Sequence, residues 1–560
     1  MLRLHQLSLS LEDGPRLDMA LLRSLCAKRL RLPQSRLQSV ALAKRSVDAR
    51  DKANVHFALT ADVTLFGGEK AEKAIAAREK PNEVAYLEED RHAFSAQLSG
   101  CAPWPDQGPR PLVVGAGPAG LFCAYALARR GARPILVERG LPVERRSRSV
   151  EAFQREGTLD PESNVLFGEG GAGAFSDGKL TCGLNHPHIP TVLRLLVECG
   201  APEEILTAAH PHIGTDKLRR VLVNLRGKLL EMGADVRFGH RLDGLVLRDG
   251  RVAEAVLSVA RQEGDSLGEA PRQAPRESRT LPVSQVFLAI GHSARDTYAW
   301  LNALGAPMEP KPFAVGLRIE HLQSAVNRAQ YGQAAGHPAL PPAEYKLNIP
   351  TPDQRGVYTF CMCPGGQVIG AVSEPGGMNV NGMSFHARAG ANANAALLVG
   401  VRPGDFGSDH PLAGVEFQRR MEERAFAAFG YAAPCQRVED FLENRPTAAL
   451  GEVVPSYRPG VSLGEVTALF PPFVTDNLRY ALPRLGRRLR GFDHPDALLT
   501  APETRSSAPL RILRNGRRES PIAGLFPIGE GAGYAGGIVS AAVDGLLAGL
   551  ESGKEKPWAL

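Results

Sequence analysis

The stretch Pro111–Gly140, PLVVGAGPAGLFCAYALARRGARPILVERG, restricts what this chain can fold into more than any other. Leu112–Val114 is a short β-branched apolar run, which reads as a strand. Gly115, Gly117 and Gly120 follow in G-x-G-x-x-G spacing. The first glycine permits a tight turn, the second lets a pyrophosphate approach the backbone, and the third lets helix and strand pack closely. A helix is expected from about Ala119 to Arg130, its free N–H groups and positive dipole end aimed at that phosphate. Gly131 ends it, and Pro134–Val137 is the next strand. Glu138 closes that strand, 18 residues after Gly120, where an acid meets a ribose hydroxyl. Strand, glycine turn, helix, strand and acid together predict a dinucleotide site; a glycine-rich turn of another α/β fold is the alternative.

A second stretch, Gly524–Leu550, decides between dinucleotides. An apolar strand (Leu525–Ile528) runs into Gly529-Glu530, a glycine-rich turn, and a small-residue helix from Gly537-Ile538. This is similar to the C-terminal flavin motif of two-dinucleotide-domain flavoproteins, with Glu530 where an Asp is more usual. The helix N-terminus would face the pyrimidine edge of a flavin, where the reduced ring carries negative charge. One motif near each end favours FAD over NAD.

Composition sets the outer bounds. A chain of 560 residues suggests two to four domains, and 43% hydrophobic content suits ordinary cores. A net charge of +6, spread along the chain, suits an anionic cofactor or substrate and does not call for nucleic acid. The eight cysteines form no C-x-x-C pair and no disulfide ladder, and the N-terminus has no apolar signal core, so a cytoplasmic setting is expected. Leu112–Ala128 and Leu525–Leu550 are apolar but glycine-rich, which fits nucleotide turns better than membrane spans.

The expected class is α/β: a Rossmann-type FAD-binding domain, a mixed α+β substrate domain and a small α+β N-terminal domain. The divisions fall at 1–100, 101–310, 311–499 and 500–560, the second and fourth forming one FAD domain. In the first unit Leu2–Leu11, Leu37–Ser46 and Asn54–Thr64 alternate as strands, with helices over Asp18–Leu30 and Glu69–Glu79, an arrangement open to a ferredoxin-like reading. Its basic residues, Lys28, Arg29, Arg45 and Lys52 among them, are either a solvated face or a docking surface. Gly100–Arg110 reads as a linker and Glu263–Arg279 as a polar loop within a hairpin. Thr215 starts a helix read as well capped, and helices are expected at Ala387–Leu398 and Val415–Phe429.

Several residues are candidates for chemistry. After Glu138 come Arg139, Arg145, Arg146 and Arg148, of which one or two are candidates for FAD phosphates, a solvated loop being the alternative. The run NVLFGEGGAGAFSDGKLT (Asn164–Thr181), with Gly170 and Gly171 at its centre, implies backbone lying against something flat or charged. Gly291 ends the strand VFLAIG and lets the backbone pass the cofactor. Glu503 and Arg505 in ETRSSAPLR are expected near the flavin ring, Arg505 on a substrate carboxylate or flavin carbonyl and Glu503 holding it. Cys361 and Cys363, at i and i+2 of a strand, share a face. They are either a paired thiol site or small core residues. Arg318, Glu320 and His321 are cavity or edge-strand residues, and Asn392 and Asn394 look helical. The His186-Pro187-His188 and His210-Pro211-His212 pairs lack further ligands at metal spacing, so no metal is expected.

Taken together, VVGAGPAGLFCAYALARRG, NVLFGEGGAGAFSDGKLT, FCMCPGGQVIGAVSE, ETRSSAPLRI and GLFPIGEGAGYAGGIVSAA resemble the bacterial FAD-dependent dehydrogenases of the NAD(P)/FAD-dependent oxidoreductase group, from about residue 80 onward. The resemblance implies an FAD fold related to glutathione reductase and aromatic hydroxylases, and it implies no particular substrate. The two-cysteine helix of flavin disulfide reductases is absent, and no second complete glycine fingerprint marks a dedicated NAD(P)H domain. The expected activity is therefore hydride transfer between a small-molecule substrate and flavin, with NAD(P)H or a redox partner protein engaged transiently. The competing reading is a flavin-containing scaffold whose basic N-terminal domain engages RNA or a protein.

Overall fold

The computed structural model describes residues 1–88, 94, 98, 104, 108–260 and 276–552. The expected linker Gly100–Arg110 and the polar loop after Glu263 lie largely outside them.

The glycine fingerprint sits in a five-stranded, fully parallel sheet. Across the sheet run Leu525–Pro527, Val286–Leu288, Leu112–Val114, Ile135–Glu138 and Asp235–Phe238. Numbered by position in the chain, that order is the doubly wound order of dinucleotide-binding folds, and it reverses between Leu112–Val114 and Val286–Leu288. The crevice beyond the strand ends at this reversal is where such sheets bind ligands. The first helix, Pro118–Arg129, packs on the last, Ile538–Glu551, through small residues. A Cβ on Gly545 would stand 1.9 Å from the Ala119 carbonyl oxygen, and one on Gly529 would stand 2.6 Å from the Ala119 Cβ. A three-stranded antiparallel meander (His240–Arg248, Arg251–Ala260, Arg276–Pro282) flanks the sheet.

The second body is a seven-stranded sheet with Phe313–Leu322 at its centre, between Asn392–Val401 and Leu498–Glu503. Three expectations change here. Residues 392–401 form a buried strand, not a helix, because small and apolar residues there meet neighbours on both faces. Arg318 lies on the central strand and is fully buried, so it is no edge-strand charge. Leu498–Glu503 also belongs to this sheet, which puts the crossing back to the parallel sheet after Glu503 rather than near residue 500.

The N-terminal unit is a four-stranded antiparallel sheet in which Leu2–Leu9 lies between His56–Leu65 and Val84–Tyr86, with two helices. This is the strand order of a split β-α-β pair. Asp18 caps its first helix, accepting from the Leu21 N–H at 2.8 Å. Its basic residues are partly spent internally. Arg29 pairs with Glu79 and Glu83, Arg45 lies over Phe57, and the Lys52 ammonium donates to the Gln330 carbonyl of the second body. Among the described residues, no helix is long and apolar enough to cross a membrane.

Candidate functional site

One cavity of about 720 Å³ runs from the glycine fingerprint to the seven-stranded sheet. That lies within the range of small-molecule and cofactor pockets. Glycines make up much of its first part. Gly115 (φ +102°) leaves no room for a side chain, since a Cβ would stand 2.3 Å from the Ala289 carbonyl oxygen. Gly120 does not line the cavity; its absent Cβ would lie 1.8 Å from the Gly115 oxygen, which is the close helix–strand packing expected of the third glycine. Gly117 and Gly171 face each other across the wall, Cα toward Cα. Both helices beside this stretch begin at the cavity: Gly117, Pro118 and Ala119 line it from one, Gly536, Gly537 and Ile538 from the other. Two N-termini therefore present backbone N–H groups and positive dipole ends to one space.

Glu138 lines the same wall. Its carboxylate accepts from the N–H groups of Ala116 (2.8 Å), Gly140 (2.9 Å) and Gly168 (3.0 Å), so it ties both glycine segments together. Three of roughly four acceptor sites are used, which leaves capacity for a sugar hydroxyl. Gly291 (φ +70°) and Glu530 also line the cavity.

Some candidates have other roles. Gly170 faces Leu222, 2.3 Å from its would-be Cβ, and does not line the cavity; nor does Gly529, whose N–H donates to Asp544. Arg139 lines the cavity but its guanidinium is paired with Glu162 (2.9 Å) and Asp296 (3.0 Å) and lies over Phe167. Arg146 is fully buried and donates to the carbonyls of Asn164, Val165, Gly168 and Glu169, so it clamps the glycine-rich loop instead of reaching a phosphate. The Thr215 hydroxyl likewise holds that loop, donating to Ala174 and Ser176, and Gly214 before it offers no side-chain cap to the helix.

The far part of the cavity, lined by Glu503 and Arg505, is backed by buried charge. The expected Glu503–Arg505 pair is not formed, because each residue is paired with a partner elsewhere in the chain. Arg505 is bidentate to Glu422 (2.9 and 2.6 Å) and donates to Ser373 at 2.7 Å. Arg295, on the helix that follows Gly291-His292, is bidentate to the same carboxylate at 2.8 and 2.9 Å. Burial opposes ionisation of Glu422, yet the two guanidiniums outweigh it and hold its pKa below the usual carboxylate range. Glu503 instead meets Arg318 at 3.2 Å. Burial raises its pKa to about 7, against the pull of Arg318.

Arg318 also donates to Asn394 and to the Cys361 carbonyl at 2.9 Å. Cys361 lines the cavity, and Cys363 is buried behind it. Lys179, from the glycine-rich loop, donates to the carbonyl of the intervening Met362. Glu422, Glu374 and Arg295 lie far apart in the chain and carry no motif, so no local sequence signal marks them. Among the described residues no group of three or more His, Cys, Asp or Glu is placed to hold a metal.

Residues 312–506 match the model of the family described as FAD-dependent protein, C-terminal domain-like. Residues 113–152 match an NAD(P)-binding Rossmann-like domain, and residues 1–64 a domain of unknown function. An uncharacterised protein of Clostridium beijerinckii is 41% identical over 549 residues, 97% of each chain. Among solved structures, a triple mutant of the flavin-dependent brominase Bmp2 overlaps 80% of this chain and 82% of its own at 11% identity and a TM-score of 0.35. The 3-ketosteroid-Δ4-(5α)-dehydrogenase of Rhodococcus jostii RHA1 overlaps 80% and 96% at 13% identity and a TM-score of 0.33. At these scores neither overlap transfers an activity to this chain.

Proposed function

We propose a function from one premise: this chain belongs to a family of bacterial FAD-dependent proteins that join a Rossmann-like dinucleotide domain to an FAD-dependent C-terminal domain. It is a flavoprotein of oxidoreductase type, and the proposal is that it transfers hydride between a small-molecule substrate and the flavin. The observation that carries this reading is the continuity of the cavity, from the backbone cradle at Gly117 and Gly171 to the charged end at Cys361 and Glu503.

The residues present fit FAD. Gly117 and Gly171 would admit the pyrophosphate, and the N–H groups at the start of both helices would neutralise it. Glu138 would accept from the adenosine ribose. Gly291, Glu530, Gly537 and Ile538 would bound the remainder, with the dipole of the last helix favouring negative charge beside it. When bound, the flavin supplies the two-electron chemistry.

The chain's own residues then orient, shield and move protons. Glu503, with a pKa of about 7, is suited to hold or release a proton near neutrality, as a general acid–base group must. Arg505 is a positioning residue: locked to Glu422, it fixes the chain where it crosses between the two bodies, and its carbonyl shares a hydrogen bond of 2.8 Å with the His292 ring. Thr181, His210, Glu344 and Lys346 line another part of the cavity and offer polar contacts to a substrate.

The test is an anaerobic flavin spectrum of the holoprotein before and after NADH or NADPH. Bleaching by either one identifies a nicotinamide donor. A flavin that bleaches with dithionite alone moves the donor role to the substrate or a protein. A purified chain that retains no flavin ends the proposal.

A further inference from the structure

The C-M-C segment is irregular where its strand is otherwise regular. Val357–Cys363 pairs with Asn392–Val401, but between Phe360 and Cys363 the register slips by one residue. Such a bulge re-aims side chains, and bulges gather beside active sites. Cys361 takes φ +42° there, a conformation that favours glycine and that a cysteine adopts only when the surroundings impose it. The surroundings are specific. Arg318 donates to the Cys361 carbonyl at 2.9 Å and approaches the Cys363 sulfur at 3.6 Å. The Cys363 thiol donates to the Cys361 carbonyl at 3.3 Å. Lys179 holds the Met362 carbonyl between them.

The result is an asymmetric pair. Cys361 is half-buried and lines the cavity that also holds Gly291, Glu530 and Glu503, whereas Cys363 is fully buried. A buried guanidinium (Arg318), a half-buried ammonium (Lys179) and a carboxyl that titrates near neutrality (Glu503) lie around the thiols. A bland core role does not require a bulge, a strained φ and a guanidinium on one dipeptide carbonyl.

We propose that Cys361 and Cys363 form a dithiol–disulfide couple that exchanges one electron pair with the FAD of this cavity, Cys361 being the thiol in contact with it. This rests on the flavoprotein reading above. In the oxidising direction both S–H bonds break and one S–S bond forms. Two electrons and one proton go to the oxidised flavin, and the second proton goes to Glu503 or to solvent. In the reverse direction reduced flavin returns the pair, the S–S bond breaks and both thiols re-form. The electrostatics agree with the assignment. Hydrogen bonding from Cys363, against burial and aided by Arg318 and Lys179, lowers the pKa of Cys361, while the same contact and burial raise that of Cys363. A thiolate-forming sulfur in reach and a protonated one behind it is the usual division between an attacking and a resolving thiol.

The test is a count of electrons, which needs no substrate. The FAD-loaded full chain is oxidised with diamide, desalted, and titrated anaerobically with dithionite. The proposal expects four electrons per FAD, two for the flavin and two for the disulfide, falling to two in both Cys361→Ser and Cys363→Ser. Peptide mapping of the oxidised wild type gives a measurement independent of the variants' folding and should recover the 361–363 crosslink. Two electrons in the wild type with both cysteines still alkylatable, or four electrons retained in Cys361→Ser, would overturn it. If the wild type holds no FAD, the flavoprotein reading fails instead, and the two failures are distinguished by the spectrum alone.

Discussion

The two ends of the cavity are made of different materials. At the fingerprint end the wall is rich in backbone: Gly115, Gly117 and Gly171, two helix N-termini, and one carboxylate whose partners are all main-chain N–H groups. At the far end Glu503 and Arg505 line the wall, and each is held by buried charge behind it, Glu503 by Arg318 and Arg505 by Glu422, which Arg295 also grips. The first end depends on the absence of atoms, the second on the presence of charge. They should therefore fail in different ways. A methyl group damages the glycine end, where space is lacking; a neutralised carboxylate damages the charged end, where a guanidinium is left without its counterion.

The largest effect is expected at Gly120. A side chain there begins 1.8 Å from the Gly115 oxygen, a main-chain atom that has no rotamer to yield. Gly120→Val should abolish both flavin retention and native far-UV dichroism. Gly117 separates fold from cofactor. A Cβ there meets only the Gly171 Cα, at 3.8 Å, so Gly117→Glu should keep the dichroism and lose the flavin band, because its carboxylate occupies the cradle of an anion. If Gly117→Glu retains flavin, the cradle is misassigned.

Next comes Glu422→Gln. It leaves Arg295 and Arg505 buried with one carboxylate, Glu374, between them. Breaking a buried pair on one side costs about 3–5 kcal/mol, and urea unfolding followed by tryptophan fluorescence would measure it. A loss below about 1 kcal/mol would mean that water reaches this cluster and that the charged end is less enclosed than its burial indicates.

These contrasts also explain what the sequence could disclose. The fingerprint was legible because its constraint is local: three glycines, the helix they open and Glu138 fall within one strand–helix–strand unit. The last strand and helix were legible for the same reason. Arg318 looked like an edge charge and Asn394 looked helical because neither carries a mark of its partner. They meet only through the pairing of Phe313–Leu322 with Asn392–Val401, a register that neighbouring residues do not encode. Glu503 and Arg505 both line the cavity, but their proximity in the chain is a poor guide to their partners. The real partners, Arg318 and Glu422, lie 185 and 83 residues away.

A smaller effect, with a pH signature, is expected from Glu503. Its folded pKa of about 7 lies above the ordinary value of 4.5, so the folded chain binds a proton that the unfolded chain releases. Stability from this group is fully present below pH 4.5 and is lost as pH rises through 7. Across that window the wild type should lose up to about 3 kcal/mol relative to Glu503→Gln, whose side chain does not titrate. The difference in slope between the two proteins is the readout, since the unpaired Arg318 adds a constant offset to the variant. Parallel slopes would show that Glu503 does not hold a proton near neutrality.

The smallest effect is at Arg139, which belongs to the glycine end by position and to the charged end by chemistry. Its guanidinium is committed to Glu162 and Asp296, and Glu162 keeps a second close partner, Arg241 at 2.7 Å. Removing one arginine therefore strands no buried carboxylate, since Asp296, which loses its partner, is about half exposed to water. Arg139→Gln should cost about 1 kcal/mol or less in unfolding and change flavin affinity by less than about tenfold, with little dependence on salt. A loss far larger than this that shrinks as salt is raised would mean that Arg139 leaves Glu162 to reach a phosphate directly. The fingerprint end would then depend on a side-chain charge after all, and the division between a backbone cradle and a charged chamber would have to be redrawn at this residue.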